Sequence, residues 1–365
     1  MTAYEIADLL SDLVNIPSVT GNEREIAGFV LERLRRRGTG ELLRSGHGLV
    51  WRGPQRDRPL VVLAGHLDTV PPNANERARV EGDRLYGLGS TDMKGGDAVM
   101  LALLETLDPD ALRFDLAAVF YDAEEGPASK NGLRRVLGEM PWLTGAALAI
   151  LLEPTDCAVE LGCNGILNAE VTVRGMAAHS ARPWTGVNAV EKAAAWLAEV
   201  TRVPAVPVSI HGIEYRETLA LTTLKAGRAR NVVPDELVAN LNYRFPPDRN
   251  VEQATRDLRA RVPEAFEFAV VDAAEPGAVS LDRPIVREFV ERFGARIAGK
   301  QGWTDVARFT SAGVPAFNFG PGIPELCHQM NEYCPIPNLG VAFDWLAAFL
   351  TDGAGTASRA PKENA

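Results

Sequence analysis

The stretch Leu60-Val61-Val62-Leu63-Ala64-Gly65-His66-Leu67-Asp68 decides how this chain folds. Its first six residues are apolar and rich in branched side chains, which suits a strand buried on both faces of a parallel sheet. Two runs of similar character follow, DLAAVFY at 115–121 and AALAILL at 146–152, and a helical stretch spans Gly95 to Leu107. Strands alternating with helices predict an α/β layer fold with a mostly parallel sheet. Upstream, residues 4–15 place Ile6, Leu9, Leu10 and Leu13 on one helical face, and 23–37 repeat the pattern with Ile26, Phe29, Val30 and Leu34. Downstream, a helix at 285–297, a short strand at 315–319 and a helix at 338–350 complete the same layer.

The middle of the chain follows another rule. LNAEVTVR (167–174) alternates as a half-exposed antiparallel strand does. A helix at 187–201, strands near 218–225 and 236–245, a helix near 251–262 and a strand near 266–271 follow. That order, βαββαβ, is the ferredoxin-like split arrangement. The reading is therefore a discontinuous catalytic domain (1–165 and 276–351) interrupted by an α+β domain at 166–275. The small, polar segment 352–365 is expected to be disordered.

The chain has 365 residues, 38 Lys plus Arg against 48 Asp plus Glu, and a formal net charge of −10. An acidic surface repels phosphate backbones, so no nucleic-acid partner is expected. Apolar runs fall well short of the ~20 residues a membrane span needs. MTAYEIADLLSDLV reads as an acidic amphipathic helix and not as a secretory signal. The cysteines at 157, 163, 327 and 334 form no C-x-x-C pair, which suits free thiols in a cytoplasmic protein.

Five segments share one chemical character. Alternation puts His66 and Asp68 on one face with Leu67 on the other, an arrangement suited to a metal ligand and an acceptor that fixes its tautomer. Alone, the pair reads more simply as a surface histidine beside a turn aspartate. Asp92 lies in the glycine-rich YGLGSTDMKGG, Glu124 and Glu125 in YDAEEG, Glu153 at the end of AALAILL, and His328 after FGPGIPEL. Each has a plain turn or loop reading by itself. Together they gather carboxylates at strand ends of one sheet edge, where α/β folds bind ligands. Asp68, Asp92, Glu124, Glu125 and Glu153 would repel one another in a shared cleft unless cations neutralise them. Two histidines among carboxylates suit zinc better than calcium.

HLDTVPP, GSTDMKGG, DAEEG, LLEP and the late His328 resemble the dinuclear zinc deacylase and carboxypeptidase family (peptidase M20), over residues 4 to about 350. The resemblance implies a zinc-peptidase-like α/β/α catalytic domain interrupted by a lid and dimerisation domain. It implies His66, Asp92 and Glu153 on one metal and Asp92, Glu125 and His328 on the other, with Asp92 bridging. Asp68 would orient His66, and Glu124 would be the general base. The peptide bond Asp92-Met93 would be cis. GMAAHS (175–180) matches the segment whose histidine, here His179, polarises the scissile carbonyl in a neighbouring subunit's site. Two divalent ions per subunit are implied, Zn²⁺ with Co²⁺ able to substitute, and a homodimer formed through the inserted domain.

HSARPW (179–184), WTDVARF (303–309) and FGPG (319–322) look most like the actinobacterial type of succinyl-diaminopimelate desuccinylase within that family. Its reaction takes a small N-acyl amino acid and water to a free acid and an amine. Arg182, Asn231, Arg244, Gly320 and Gly322 are the candidates for holding the substrate, since guanidinium forks suit carboxylates. One departure bears on the acyl group. Desuccinylases usually carry an arginine shortly after the hinge Asn-Gly, whereas Asn164-Gly165 is followed by Ile166, Leu167 and Asn168. Acetylornithine deacetylase or an exopeptidase would share the metal ligands and differ in the arginines.

Overall fold

A computed structural model describes residues 1–351, and the segment expected to be disordered lies outside the described residues. The chain divides into two compact units, one of Met1–Gly162, Val279–Ala298 and the residues from Thr304 on, the other of Cys163–Ala278 and Gly299–Trp303.

In the first unit an eight-stranded sheet has four central strands in parallel. These are Asp115–Tyr121, Leu60–His66, Leu148–Leu151 and Ala316–Asn318, in that spatial order. Every residue of Asp115–Tyr121 is buried, and Leu60–His66 is buried from its second residue on. That two-sided burial explains why both read as continuous apolar runs and not as alternating ones. An antiparallel hairpin, Glu41–Ser45 and Gly48–Arg52, extends one side of the sheet. The helix Ala3–Val14 opens with a reciprocal cap: Thr2 Oγ1 accepts the Glu5 N–H at 3.3 Å, and Glu5 accepts the Thr2 N–H at 2.7 Å. It buries Ile6, Leu9, Leu10 and Leu13, the face expected from spacing.

Helix Lys94–Thr106 is buried through its first eleven residues. It sits so close to the sheet that a Cβ on Gly96 would come within 2.2 Å of the Leu152 carbonyl oxygen. The helix expected at 285–297 runs only over Pro284–Phe293, because Gly294 turns left-handed (φ 58) and Ile297–Gly299 becomes a strand. A small three-stranded sheet of Arg79–Glu81, Arg84–Tyr86 and Tyr333–Pro335 was not expected from the sequence.

The second unit is an antiparallel sheet. Its order is Val206–Ile210, Ile213–Ala226, Glu236–Phe245, Gly165–Arg174, Glu267–Ala274. Leaving aside the first strand, this is the 2-3-1-4 order of the split arrangement, with helices Ala189–Val200 and Val251–Arg259 supplying Ala193, Trp196, Ala254 and Leu258 to its core. The added strand joins by a two-residue turn in which His211 (φ 52) and Gly212 (φ 80) are both left-handed, the geometry that suits a tight hairpin.

Candidate metal centre

Three of the parallel strands end at the same edge of the sheet. His66 is the last residue of its strand and pairs in register with Tyr121, which leads into the Ala123–Glu125 loop; Leu151 leads into Glu153. Asp92 and His328 come from two loops brought together by the small sheet, where Tyr333 pairs with Tyr86 and Cys334 with Leu85.

Ligand atoms of His66, Asp92 and Glu153 lie within 4.8 Å of one another, as do those of Asp92, Glu125 and His328, and those of His66, Glu124 and Glu125. His66 Nε2 is 3.2 Å from Asp92 Oδ1, while His328 Nε2 is 3.5 Å from Asp92 Oδ2 and 2.9 Å from Glu125 Oε1. Asp92 thus faces one histidine with each oxygen. The Asp92-Met93 peptide bond is cis.

Asp68 is fully buried, and its carboxylate points mainly elsewhere than the resemblance implies. His66 Nδ1 is 3.0 Å from the Asp68 main-chain oxygen and 3.7 Å from its Oδ1. The two carboxylate oxygens instead accept the backbone N–H groups of Glu124 at 2.9 Å and Glu125 at 3.0 Å, and Thr20 Oγ1 donates to Oδ2 at 2.9 Å. Glu23 accepts the N–H groups of Gly21 at 2.8 Å and Ala123 at 3.3 Å, next to the left-handed Ala123 (φ 56). Sequence reasoning missed Thr20 and Glu23, and their local sequence carries no signal of the role.

Burial works against a charged His66, yet Asp92, Glu124, Glu153 and Asp68 outweigh it and hold the imidazole pKa well above the usual value. Asp92 and Glu125 raise His328 to about 10. Burial also favours the neutral acid at Asp92, but the facing His328 and His66 hold it well below the usual range. Glu124 is pushed well up, first by burial and then by Glu153, Asp305 and Glu125, against the pull of His66. Two imidazoles and clustered carboxylates on shared Asp92 are the donor set of a transition-metal pair, so the residues present fit two such ions.

The remaining candidates fall in different places. His179 and Val232 form a β-bridge and the Ser180 N–H donates to the Asn231 carbonyl at 3.0 Å, so His179, Arg182 and Asn231 form one exposed group in the second unit. His179 Nδ1 accepts the Ala181 N–H at 3.0 Å, which leaves Nε2 as the proton carrier of a neutral ring. Arg244 is not with them. It stands near the far end of the Glu236–Phe245 strand, roughly 25 Å away along the strand at ~3.3 Å per residue, opposite Ile166. Gly320 and Gly322 are buried against backbone: a Cβ would lie 2.4 Å from the Glu153 oxygen and 2.3 Å from the Thr91 oxygen. They let the loop press on the two segments that carry Glu153 and Asp92.

Known proteins are similar to this chain in sequence and in fold. Residues 62–352 match the model of peptidase family M20/M25/M40. The chain is 41% identical over 346 residues to a Mycobacterium tuberculosis protein named as a candidate succinyl-diaminopimelate desuccinylase, DapE, covering 94% of this chain and 97% of that one. It is 38% identical to the succinyl-diaminopimelate desuccinylase of Corynebacterium glutamicum, covering 91% and 94%. Among solved structures, a Staphylococcus aureus tripeptidase aligns with a TM-score of 0.79 at 18% identity, over 96% of this chain and 98% of that one. The M20 family metallo-carboxypeptidase Sso-CP2 of Sulfolobus solfataricus aligns at 0.76 and 16%, over 95% and 98%. With four-fifths of its length inside the family model and two relatives matched nearly end to end, the chain belongs to peptidase family M20/M25/M40.

Proposed function

We propose that the protein is a two-metal amide hydrolase that removes the succinyl group of N-succinyl-LL-2,6-diaminopimelate, giving succinate and LL-2,6-diaminopimelate. The observation that carries the chemistry is the pair of ligand groups sharing Asp92. His66, Asp92 and Glu153 would hold one ion and Asp92, Glu125 and His328 the other, Zn²⁺ by donor type. Bound there, the ions supply Lewis acidity toward the amide carbonyl and lower the pKa of water. Glu124, with its raised affinity for a proton, takes the proton from the attacking water and returns it to the leaving amine. Asp68 holds the Glu124 backbone in place while it does so. The substrate class rests on the two desuccinylase relatives.

The second unit serves as the lid and dimerisation domain. Among the described residues, Ile213–Ala226 has a strand partner on its outer side only over Ile213–Glu217, so Thr218–Ala226 offers an open edge to a second copy. The neutral Nε2–H of His179 would then serve as an oxyanion donor in the partner's site. Arg182 and Asn231 would meet the substrate from the same exposed group. Arg244, whose cross-strand neighbour is Ile166 in the segment that lacks the hinge arginine, would offer a guanidinium to the acyl carboxylate in its stead.

Zinc analysis together with a panel of N-acyl substrates tests the reading. Near two ions per chain and a kcat/KM favouring succinyl-diaminopimelate are expected. Preference for acetylornithine would move the acyl assignment and leave the hydrolysis standing; fewer than about one ion at saturation would remove the two-metal mechanism.

A further inference from the structure

We propose that Glu332 is a positioning residue that locks the Asp92 loop to the loop carrying His328 and thereby sets the spacing of the two ion sites. Glu332 lies four residues beyond His328 and is 1% exposed. One carboxylate oxygen, Oε1, accepts the backbone N–H of Thr91 at 2.9 Å and that of Asp92 at 3.2 Å. Its main-chain oxygen accepts the Gly87 N–H at 3.1 Å. Thr91 completes the lacing, since its Oγ1 accepts the Ile323 N–H at 3.0 Å and donates to the Tyr333 oxygen at 2.8 Å.

The loop needs this. His328 is left-handed (φ 64) and its nearest regular elements are the single turn Pro324–Leu326 and the three-residue strand Tyr333–Pro335. Such short elements fix a side chain poorly by themselves. Two backbone amides converging on one carboxylate oxygen give this buried acid its hydrogen-bond partners. The buried Lys94 ammonium is directed instead to the main-chain oxygens of Leu13 and Ile16, at 3.0 and 2.9 Å.

The consequence is unequal for the two sites. His66 and Glu153 sit at or just past the ends of buried parallel strands, so they stay in place without Glu332. Asp92 and His328 do not. The group His66, Asp92 and Glu153 would keep two fixed ligands, whereas Asp92, Glu125 and His328 would keep one.

The inference rests on the two-ion reading, so wild type is measured first. Metal-free wild type, Glu332→Gln and Glu332→Ala are titrated with zinc against a competing chelator, and the melting temperature is recorded with and without zinc. Glu332→Gln retains one acceptor oxygen and is expected to fold. Glu332→Ala, which removes the shared acceptor, should lose ~10–100-fold in affinity at its weaker binding step, the usual effect of removing a group that orients a ligand, with a smaller change in the tighter step, whereas Glu332→Gln, whose carbonyl oxygen can accept both amides, should lose less. The zinc-induced rise in melting temperature should shrink accordingly. If the metal-free melting temperature falls while both affinities and the zinc-induced rise match wild type, Glu332 only supports the fold and the proposal is wrong. Should Glu332→Ala fail to fold, Glu332→Asp, whose carboxylate is one methylene short of the two amides, decides by the same two readouts. Uptake of fewer than two ions by wild type would overturn the two-ion reading itself, whatever Glu332 does.

Discussion

Asp68 grips the backbone of Glu124: one carboxylate oxygen accepts the Glu124 N–H at 2.9 Å while the other accepts that of Glu125 at 3.0 Å. The proposed base and a proposed metal ligand are adjacent in sequence, so their side chains must diverge from one short piece of chain. Anchoring both amides on a single buried carboxylate fixes that divergence. Asp68 therefore connects the His66 strand to Glu124, the proposed base, through the main chain.

Replacing Asp68 by Asn puts an N–H₂ against one of those amides and removes an acceptor. Turnover should fall ~10–100-fold, the usual effect for a group that orients others, with zinc content still near two per chain. Loss of metal with unchanged turnover per bound pair would show that Asp68 acts on His66 alone.

Glu124 and Glu125 should separate cleanly. Glu124→Gln is expected to keep both ions and lose ~10²–10⁴-fold or more in kcat, the usual contribution of a positioned base. Glu125→Gln should release metal, because Glu125 Oε1 lies 2.9 Å from His328 Nε2 in the second ligand group. Metal analysis of the two variants beside their kcat distinguishes the roles, and the reverse pattern would exchange them.

Why the site was so legible, and the rest less so, has a physical basis. Buried parallel strands such as Asp115–Tyr121 must be apolar throughout, so their ends, and the ligands just past them, stand out in the text. Asp92 and His328 were singled out from their loop segments but given ligand roles only by resemblance, because what joins them is a sheet of three-residue strands too short to show any period. Glu23 and Glu332 act through main-chain amides, and Thr20 through the Asp68 carboxylate, all brought close by folding, and such contacts leave no trace in local sequence. The Glu41–Arg52 hairpin escaped for another reason. Its second strand, Gly48–Arg52, is buried at four of five positions and so lacks alternation.

Zinc uptake should be steeply pH-dependent. Without metal, Asp92 and Glu125 raise His328 to about 10 and the surrounding carboxylates hold His66 well above its usual value, so protons compete with metal for both imidazoles. Metal ligation requires neutral imidazoles, so each ion bound must displace a proton. Apparent affinity should therefore rise with pH between 7 and 9, and calorimetry in buffers of different ionisation enthalpy should show about two protons released per chain. In the metal-free protein the sign runs the other way: a folded pKa raised above 6.5 contributes stability that is full below that pH and lost as pH climbs toward 10. An affinity flat across that range would mean the histidines are neutral before metal arrives.

The last expectation concerns His179. It lies on the second unit, whereas all five expected ligands lie on the first. If it serves a neighbouring subunit, two inactive variants, His179→Ala and Glu124→Ala, should rescue each other when mixed. Each mixed dimer then has one site with both groups and one with neither. Random exchange makes half of the dimers mixed, so activity should return to roughly a quarter of wild type in a two-fold symmetric dimer. A histidine acting within its own subunit leaves every site short of one group, and mixing restores nothing. Subunit exchange is verified with differently tagged copies. Exchange without recovery would assign His179 to its own chain, and a sedimenting monomer would remove the dimer altogether.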